Sequence, residues 1–173
     1  MVIVGGGFGG LYAAKGLANQ PVDVTLIDRK NHHTFQPLLY QVALSVLSPG
    51  EVAAALRHIL RKAANVRTVL GEVTGFDLDA KEVTLSSGAV FAYDHLIVAA
   101  GARHAYFGHD EWEAEAPGLK TVEDAVEIRR RLLLAFEKAE RTAILTGETP
   151  PLDFAVIGAG PTGVELAGAI ADL

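Results

Sequence analysis

An α/β fold built on a parallel sheet follows from three features of this 173-residue sequence. Short β-branched runs alternate with stretches that carry apolar residues at helical spacing. Two glycine-rich turns, at residues 5–10 and 158–163, each stand between such a run and a helical stretch. Between residues 73 and 92, short apolar runs separated by turn residues predict a small antiparallel meander where a crossover helix would otherwise stand.

Val2–Val4 is a strand stopped by Gly5, and residues 8–19 place Leu11, Ala14 and Ala18 at helical spacing. Residues 22–27 are a second apolar run ending at Asp28, which completes a strand-helix-strand unit with a parallel pair. That sets the glycines at the carboxyl end of the first strand. Ser48, Pro49 and Glu51 read as a helix start: a Ser cap, Pro at the first helical position and a Glu that reaches back. The helix is predicted to run to Ala63. Residues 66–73 form a third strand, and 76–78, 83–85 and 90–92 the meander, with turns at 79–81 and 86–88. Residues 95–99 are again a buried-type strand, stopped by Ala100 and Gly101.

Beyond a polar loop containing Trp112, Pro117 and Gly118, Thr121 caps a long helix. Glu123 and Asp124 suit the positive end of its dipole, and Arg141 its far end. Gly147, Pro150 and Pro151 mark residues 145–152 as a linker. Residues 154–157 then read as a strand, 158–163 as the second glycine turn, and Val164 onward as a helix, so a second unit is only begun.

Composition narrows the function. With 15 basic against 21 acidic side chains the net charge is −6, which removes a cationic face for nucleic acid. The absence of Cys removes disulfides, thiolate zinc sites and thiol nucleophiles from these residues. The longest uncharged stretch, 31–50, is interrupted by His, Gln, Ser and Pro, so it does not read as a membrane span. No basic region precedes the first apolar run, so the start does not read as a secretory signal. The six His residues are scattered, apart from adjacent His32 and His33, and no metal site is expected. Solvated or hydrogen-bonding roles suit them better.

Gly5, Gly7 and Gly10 fit G-x-G-x-x-G, the dinucleotide fingerprint. The first glycine permits a tight turn, the second lets backbone approach a pyrophosphate, and the third lets helix pack on strand. The helix start then offers N–H donors to phosphate. Asp28, eighteen residues beyond Gly10, stands where an acid would bind a ribose diol. Gly158, Gly160 and Gly163 repeat the pattern 153 residues later, so two dinucleotides are implied. Glu165 lies early in the second helix, with two explanations open: favourable interaction with the helix dipole, or a polar group beside the reacting rings.

The segments NHHTFQPLLYQVALSVLSPG, DHLIVAAGARHAYFGHDEW and FAVIGAGPTGVELAGAIADL together resemble the type II NADH dehydrogenases, flavoproteins with two dinucleotide-binding domains. The resemblance implies a Rossmann-like FAD/NAD(P)-binding fold, and an enzyme that oxidises NADH through FAD and reduces a membrane quinone. It implies that Gly5, Gly7 and Gly10 cradle the FAD pyrophosphate while Asp28 holds its adenosine ribose. Val73, at the end of the third strand, would meet adenine through its backbone, and Ala100 and Gly101 would pass the FAD phosphates. Pro37, Leu38 and Gln41 would lie along the flavin, Gly158, Gly160 and Gly163 would receive NADH, and Glu165, the catalytic candidate, would lie near the meeting of nicotinamide and flavin. Residues 1–110 would be the first segment of an FAD-binding domain, 111–151 the connecting loop, long helix and linker, and 152–173 the start of an NAD(P)H-binding domain.

The resemblance also implies that this is the N-terminal portion of a longer protein. Such a protein would be peripheral, on the cytoplasmic face of the cell membrane and held there by residues outside this sequence; a homodimer is compatible with it. The portion alone is expected to expose apolar surface and to lack dehydrogenase activity. The missing thiols set the sequence apart from disulfide reductases of the glutathione reductase type and from sulfide:quinone reductases. A flavoprotein module whose nucleotide occupancy regulates partner contacts, as in relatives of apoptosis-inducing factor, stays open as a second class. Leu39, Tyr40, Leu44 and Leu47 read as core rather than cofactor packing, and Arg129, Arg130 and Arg131 as a solvated helix face rather than a lipid contact.

Overall fold

The computed structural model describes residues 1–172. In chain order, β1 (Val2–Val4), α1 (Phe8–Gly16) and β2 (Val24–Asp28) make the first strand-helix-strand unit. Next come β3 (His32–Thr34), a 3-10 turn at Gln36–Leu38, α2 (Leu39–Ala43), α3 (Pro49–Val52), β4 (Ala53–Ala55) and α4 (Leu56–Ile59). The strands β5 (Val66–Leu70), β6 (Val73–Asp77), β7 (Glu82–Leu85), β8 (Val90–Ala92) and β9 (Leu96–Val98) follow. A 3-10 turn at Asp110–Ala114, then α5 (Val122–Thr146) and α6 (Pro161–Ala171), complete the order. The chain forms two compact units, Met1–Thr34 with Ala53–Ala102, and Phe35–Val52 with the chain from Arg103 onward.

In the first unit the parallel sheet runs β5-β2-β1-β9, which in order of appearance is 3-2-1-4, the doubly wound arrangement. Side chains alternate across it. Ile3, Val24 and Leu26 pack with Leu11 and Ala14 of α1 and Leu56 of α4, while Val2, Val4 and Ile27 pack with Val83 and Leu85 of the meander. Both faces are therefore covered, which is why β1 is apolar throughout and the one polar residue inside β2 before Asp28, Thr25, is buried with its hydroxyl accepting from Arg67. The meander is the antiparallel sheet β6-β7-β8.

Several boundaries differ from the sequence expectation, each for a physical reason. The helix predicted over 48–63 is interrupted, because Ala53–Ala55 pairs antiparallel with β3, placing His33 opposite Ala54. Alanine favours helix, yet long-range pairing satisfies the backbone groups of β3 and prevails. The start at Ser48 is as expected: Glu51 Oε2 accepts the Ser48 N–H at 2.6 Å. That bond, then a side-chain hydrogen bond with Ser48, holds the Glu51 carboxyl below its usual range.

The third strand ends at Leu70, and Val73 opens β6 instead of closing the third strand. Gly71 N–H goes to Asp28 carbonyl oxygen, so the chain turns there from one sheet to the next. Helix α1 stops at Gly16 and β2 begins at Val24, because Asn65 takes over the connection between them. Its Nδ2 donates to the carbonyls of Leu17, Gln20 and Val22, and its Oδ1 accepts from Asn19 N–H.

In the second unit, Leu39, Val42 and Ala43 of α2 form a core with Val52 and Ala125, and Leu166 of α6 packs on it. A capping box starts α5: Thr121 Oγ1 accepts Asp124 N–H at 3.2 Å, and Asp124 Oδ2 accepts Thr121 N–H at 2.8 Å. Gly147, left-handed at φ +75°, ends α5, so the expected linker begins two residues later than 145. The predicted strand at 154–157 does not form: among the described residues it joins no ladder. A strand persists only as a ladder member, and no neighbouring segment of this unit offers one.

Candidate functional site

The first glycine turn lies at the carboxyl ends of β1, β2 and β9. Gly5 N–H donates to Ile27 carbonyl oxygen and Ala99 N–H to Val4 carbonyl oxygen, which ties the three strand ends together. Gly5 has φ +103°, and a β-carbon there would overlap the Ala99 carbonyl. A β-carbon on Gly10 would overlap the Gly5 carbonyl, so the first turn of α1 rests directly on the strand end. Gly7 differs. It is exposed, and nothing lies within 4 Å of where its β-carbon would be. That open space is where another molecule could come against the backbone.

Helix α1 makes its first internal bond from Leu11 N–H to Gly7 carbonyl, so the amides of Gly9 and Gly10 have no acceptor inside the helix. Asp28, half-buried at the end of β2, accepts Gly6 N–H at 2.5 Å on Oδ2 and Lys30 N–H at 2.6 Å on Oδ1. Each oxygen keeps lone-pair capacity for a further donor such as a ribose hydroxyl. Ala100 is exposed, and its Cα lies 3.2 Å from the β-carbon position of Gly5; Gly101 follows at φ +75°. Gly5, Gly7, Gly10, Asp28, Ala100 and Gly101 thus share one edge of the sheet, where a doubly wound fold binds its ligand. Val73 borders the same edge from the start of β6, with its side chain packed toward the meander core.

His33 completes this turn and was not singled out by sequence. Only 8 % exposed, it sets Nδ1 3.1 Å from the Gly6 carbonyl oxygen and its ring edge-on to Phe8, with centroids 4.9 Å apart. No local signal marks it, because its position depends on the pairing of β3 with β4.

In the second unit Gly158 has φ +106°, and a β-carbon on Gly163 would overlap the Gly158 carbonyl. The turn geometry of the first fingerprint is thus repeated although its strand is not. Gly160, the N-cap of α6, has nothing within 4 Å of its β-carbon position, and Val164 N–H makes the first internal bond, to Gly160 carbonyl. Glu165 is exposed just beyond the first turn of α6. Pro37 is exposed in the 3-10 turn, Leu38 packs on the core of this unit, and Gln41 Nε2 donates to Tyr40 Oη at 3.0 Å. Helix α2, which carries Gln41, packs against α6. Leu39 and Leu44 are buried and Leu47 packs against the core, as expected.

The arginine run is only partly a solvated face. Arg130 and then Arg131 hydrogen-bond Glu127 and hold its carboxyl down to about 2. Arg131 also donates to the Ala114 carbonyl. The YFGHDEW stretch folds on itself, with His109 stacked on Trp112 at 4.2 Å and Tyr106 Oη donating to Ala116 carbonyl. Among the described residues, no three His, Asp or Glu side chains converge as a metal site needs, and no helix is long and apolar enough to cross a membrane.

The chain is similar to known proteins over nearly its whole length. It is 53% identical over 176 residues to the type II NADH:quinone oxidoreductase NdhA of Mycobacterium tuberculosis, covering 100% of this chain and 37% of that protein. It is 34% identical to the external alternative NAD(P)H-ubiquinone oxidoreductase B2, mitochondrial, of Arabidopsis thaliana, covering 99% of this chain and 31% of the relative. The structure of NDH2 from Plasmodium falciparum in complex with NADH superposes with TM-score 0.80 at 26% identity, over 99% of this chain and 36% of that one. The chain therefore spans about a third of the length of these curated relatives. A family model described as pyridine nucleotide-disulphide oxidoreductase matches residues 1–173, and with the doubly wound sheet and its glycine turn the chain belongs to that family.

Proposed function

We propose that this chain is the N-terminal portion of an FAD-dependent NADH:quinone oxidoreductase of type II. The observation that carries the proposal is the repeated turn: Gly158 at φ +106° under Gly163 copies Gly5 at φ +103° under Gly10, which suits two dinucleotides on one chain. The names of the Mycobacterium and Arabidopsis relatives support the choice of donor and acceptor. Disulfide exchange, which the family name mentions, has no thiol here to act through.

The residues of the first turn fit FAD. The space beside Gly7 and the helix amides of Gly9 and Gly10 suit its pyrophosphate, and the spare acceptor capacity of Asp28 suits its ribose diol. Ala100, Gly101 and the backbone of Val73 would complete that site, and Pro37, Leu38 and Gln41 would border the flavin. Gly158, Gly160 and Gly163 would hold the NADH phosphates, with Glu165 as the charged group beside the nicotinamide. Bound FAD supplies acceptance of hydride from NADH and its onward passage as electrons. What this chain contributes is position and electrostatics: rigid turns that fix both phosphate groups, and a carboxylate near the exchange.

The quinone site, a membrane-surface attachment on the cytoplasmic side and a homodimer belong to the same proposal, outside these residues. Steady turnover of NADH with a short-chain quinone by the complete protein tests it. Slow flavin reduction with a long-lived reduced complex would instead favour the regulatory module.

A further inference from the structure

We propose that His33 is a positioning residue that aims the backbone of the first glycine turn at the dinucleotide phosphates. Two successive peptide planes of that turn are held by side chains from outside it. Gly6 N–H, in the plane shared with Gly5, donates to Asp28 Oδ2 at 2.5 Å. Gly6 carbonyl, in the plane shared with Gly7, meets His33 Nδ1 at 3.1 Å. A carbonyl oxygen only accepts, so Nδ1 carries the hydrogen and His33 donates.

A trans peptide sets its C=O and N–H on opposite sides. Fixing the Gly6 carbonyl toward buried His33 therefore turns Gly7 N–H the other way. Gly7 is exposed there, with nothing within 4 Å of its β-carbon position. The ring also stands edge-on to Phe8, the first residue of α1, at 4.9 Å, so one side chain braces the turn and the helix start together. The short β3 and β4 pair gives His33 its place, and this accounts for three alanines leaving a predicted helix to become a strand.

The role of His33 rests on the dinucleotide reading above, and the test separates the two. In the complete protein, freed of flavin, FAD affinity is measured by quenching of flavin fluorescence for wild type, His33→Leu, His33→Asn and His33→Gln. NADH affinity and urea unfolding are followed alongside. The Asn amide nitrogen falls near the place of Nδ1, and the Gln amide reaches one carbon too far. Leu is expected to weaken FAD about tenfold, the loss of one well-placed donor. Asn should return to within about threefold of wild type and Gln should not, with NADH affinity unchanged in all. Asn no better than Leu or Gln would make His33 mere packing and overturn the proposal, as would wild-type FAD affinity in every variant. Should Leu not fold, the Asn and Gln pair decides alone. A wild-type protein that takes up no FAD would overturn the dinucleotide reading itself, and the role of His33 with it.

Discussion

Gly10 rests on the carbonyl of Gly5 so closely that a β-carbon at residue 10 would overlap it, and Gly163 rests on the carbonyl of Gly158 in the same way. The two turns share one geometry although only the first continues a strand of a sheet.

Substitutions in the first turn should separate folding from binding. Gly10→Ala meets backbone that cannot yield, and is expected to destabilise the protein by roughly 1–3 kcal/mol or more. Gly7→Ala meets nothing, at φ −69°, and should change stability by less than about 0.5 kcal/mol. Gly7→Ala should nevertheless weaken FAD strongly, because its methyl enters the space left for phosphate. Urea unfolding and flavin titration of both variants check this; a Gly7→Ala protein with wild-type FAD affinity would contradict it.

Asp28→Asn replaces one acceptor oxygen with a donor, and that donor must face the N–H of Gly6 or of Lys30. The expected cost is about 1–3 kcal/mol in stability, with weaker FAD binding. Asn65 offers the contrasting case. Asn65→Ala removes three donated bonds and one accepted bond that close the α1 to β2 connection, at a similar cost. Its FAD affinity should stay within about twofold of wild type.

Much of the fold was legible because its signals are local. The apolar runs of β1, β2 and β9, the Thr121 cap and the glycine spacing are each written within a few neighbouring residues. What stayed hidden depends on partners distant in sequence. Ala53–Ala55 is a strand only because β3 lies beside it, residues 154–157 join no ladder among the described residues, and His33 reaches Gly6 through that same β3 and β4 pairing. Asp28 and the glycines of both turns were legible in the candidate site; the side chain that braces the first turn was not.

Acid should expose the Glu127 pair. Arg130 and Arg131 hold its carboxyl at about 2, below its ordinary 4.5, so the folded state binds fewer protons there than the unfolded state. The stabilisation is complete above the ordinary value and is lost as pH falls toward the lower one. Unfolding curves of wild type and Glu127→Gln should therefore differ at about pH 5 and converge toward about pH 2. A constant gap across that window would contradict the pairing.

Glu165→Gln removes the charge early in α6 while keeping its shape. Flavin reduction by NADH in rapid-mixing experiments should slow by about tenfold, with FAD content unchanged. An unchanged rate would assign Glu165 to the helix dipole alone.

On the proposed reading, the two glycine turns are the dinucleotide sites of a flavin-dependent NADH:quinone oxidoreductase. The most direct test is the absorbance of the complete protein near about 450 nm under anaerobic NADH, then after addition of quinone. A bound flavin that bleaches promptly and recovers its colour with quinone is the expected result. A protein that carries no flavin, or whose flavin NADH leaves unbleached, would contradict it.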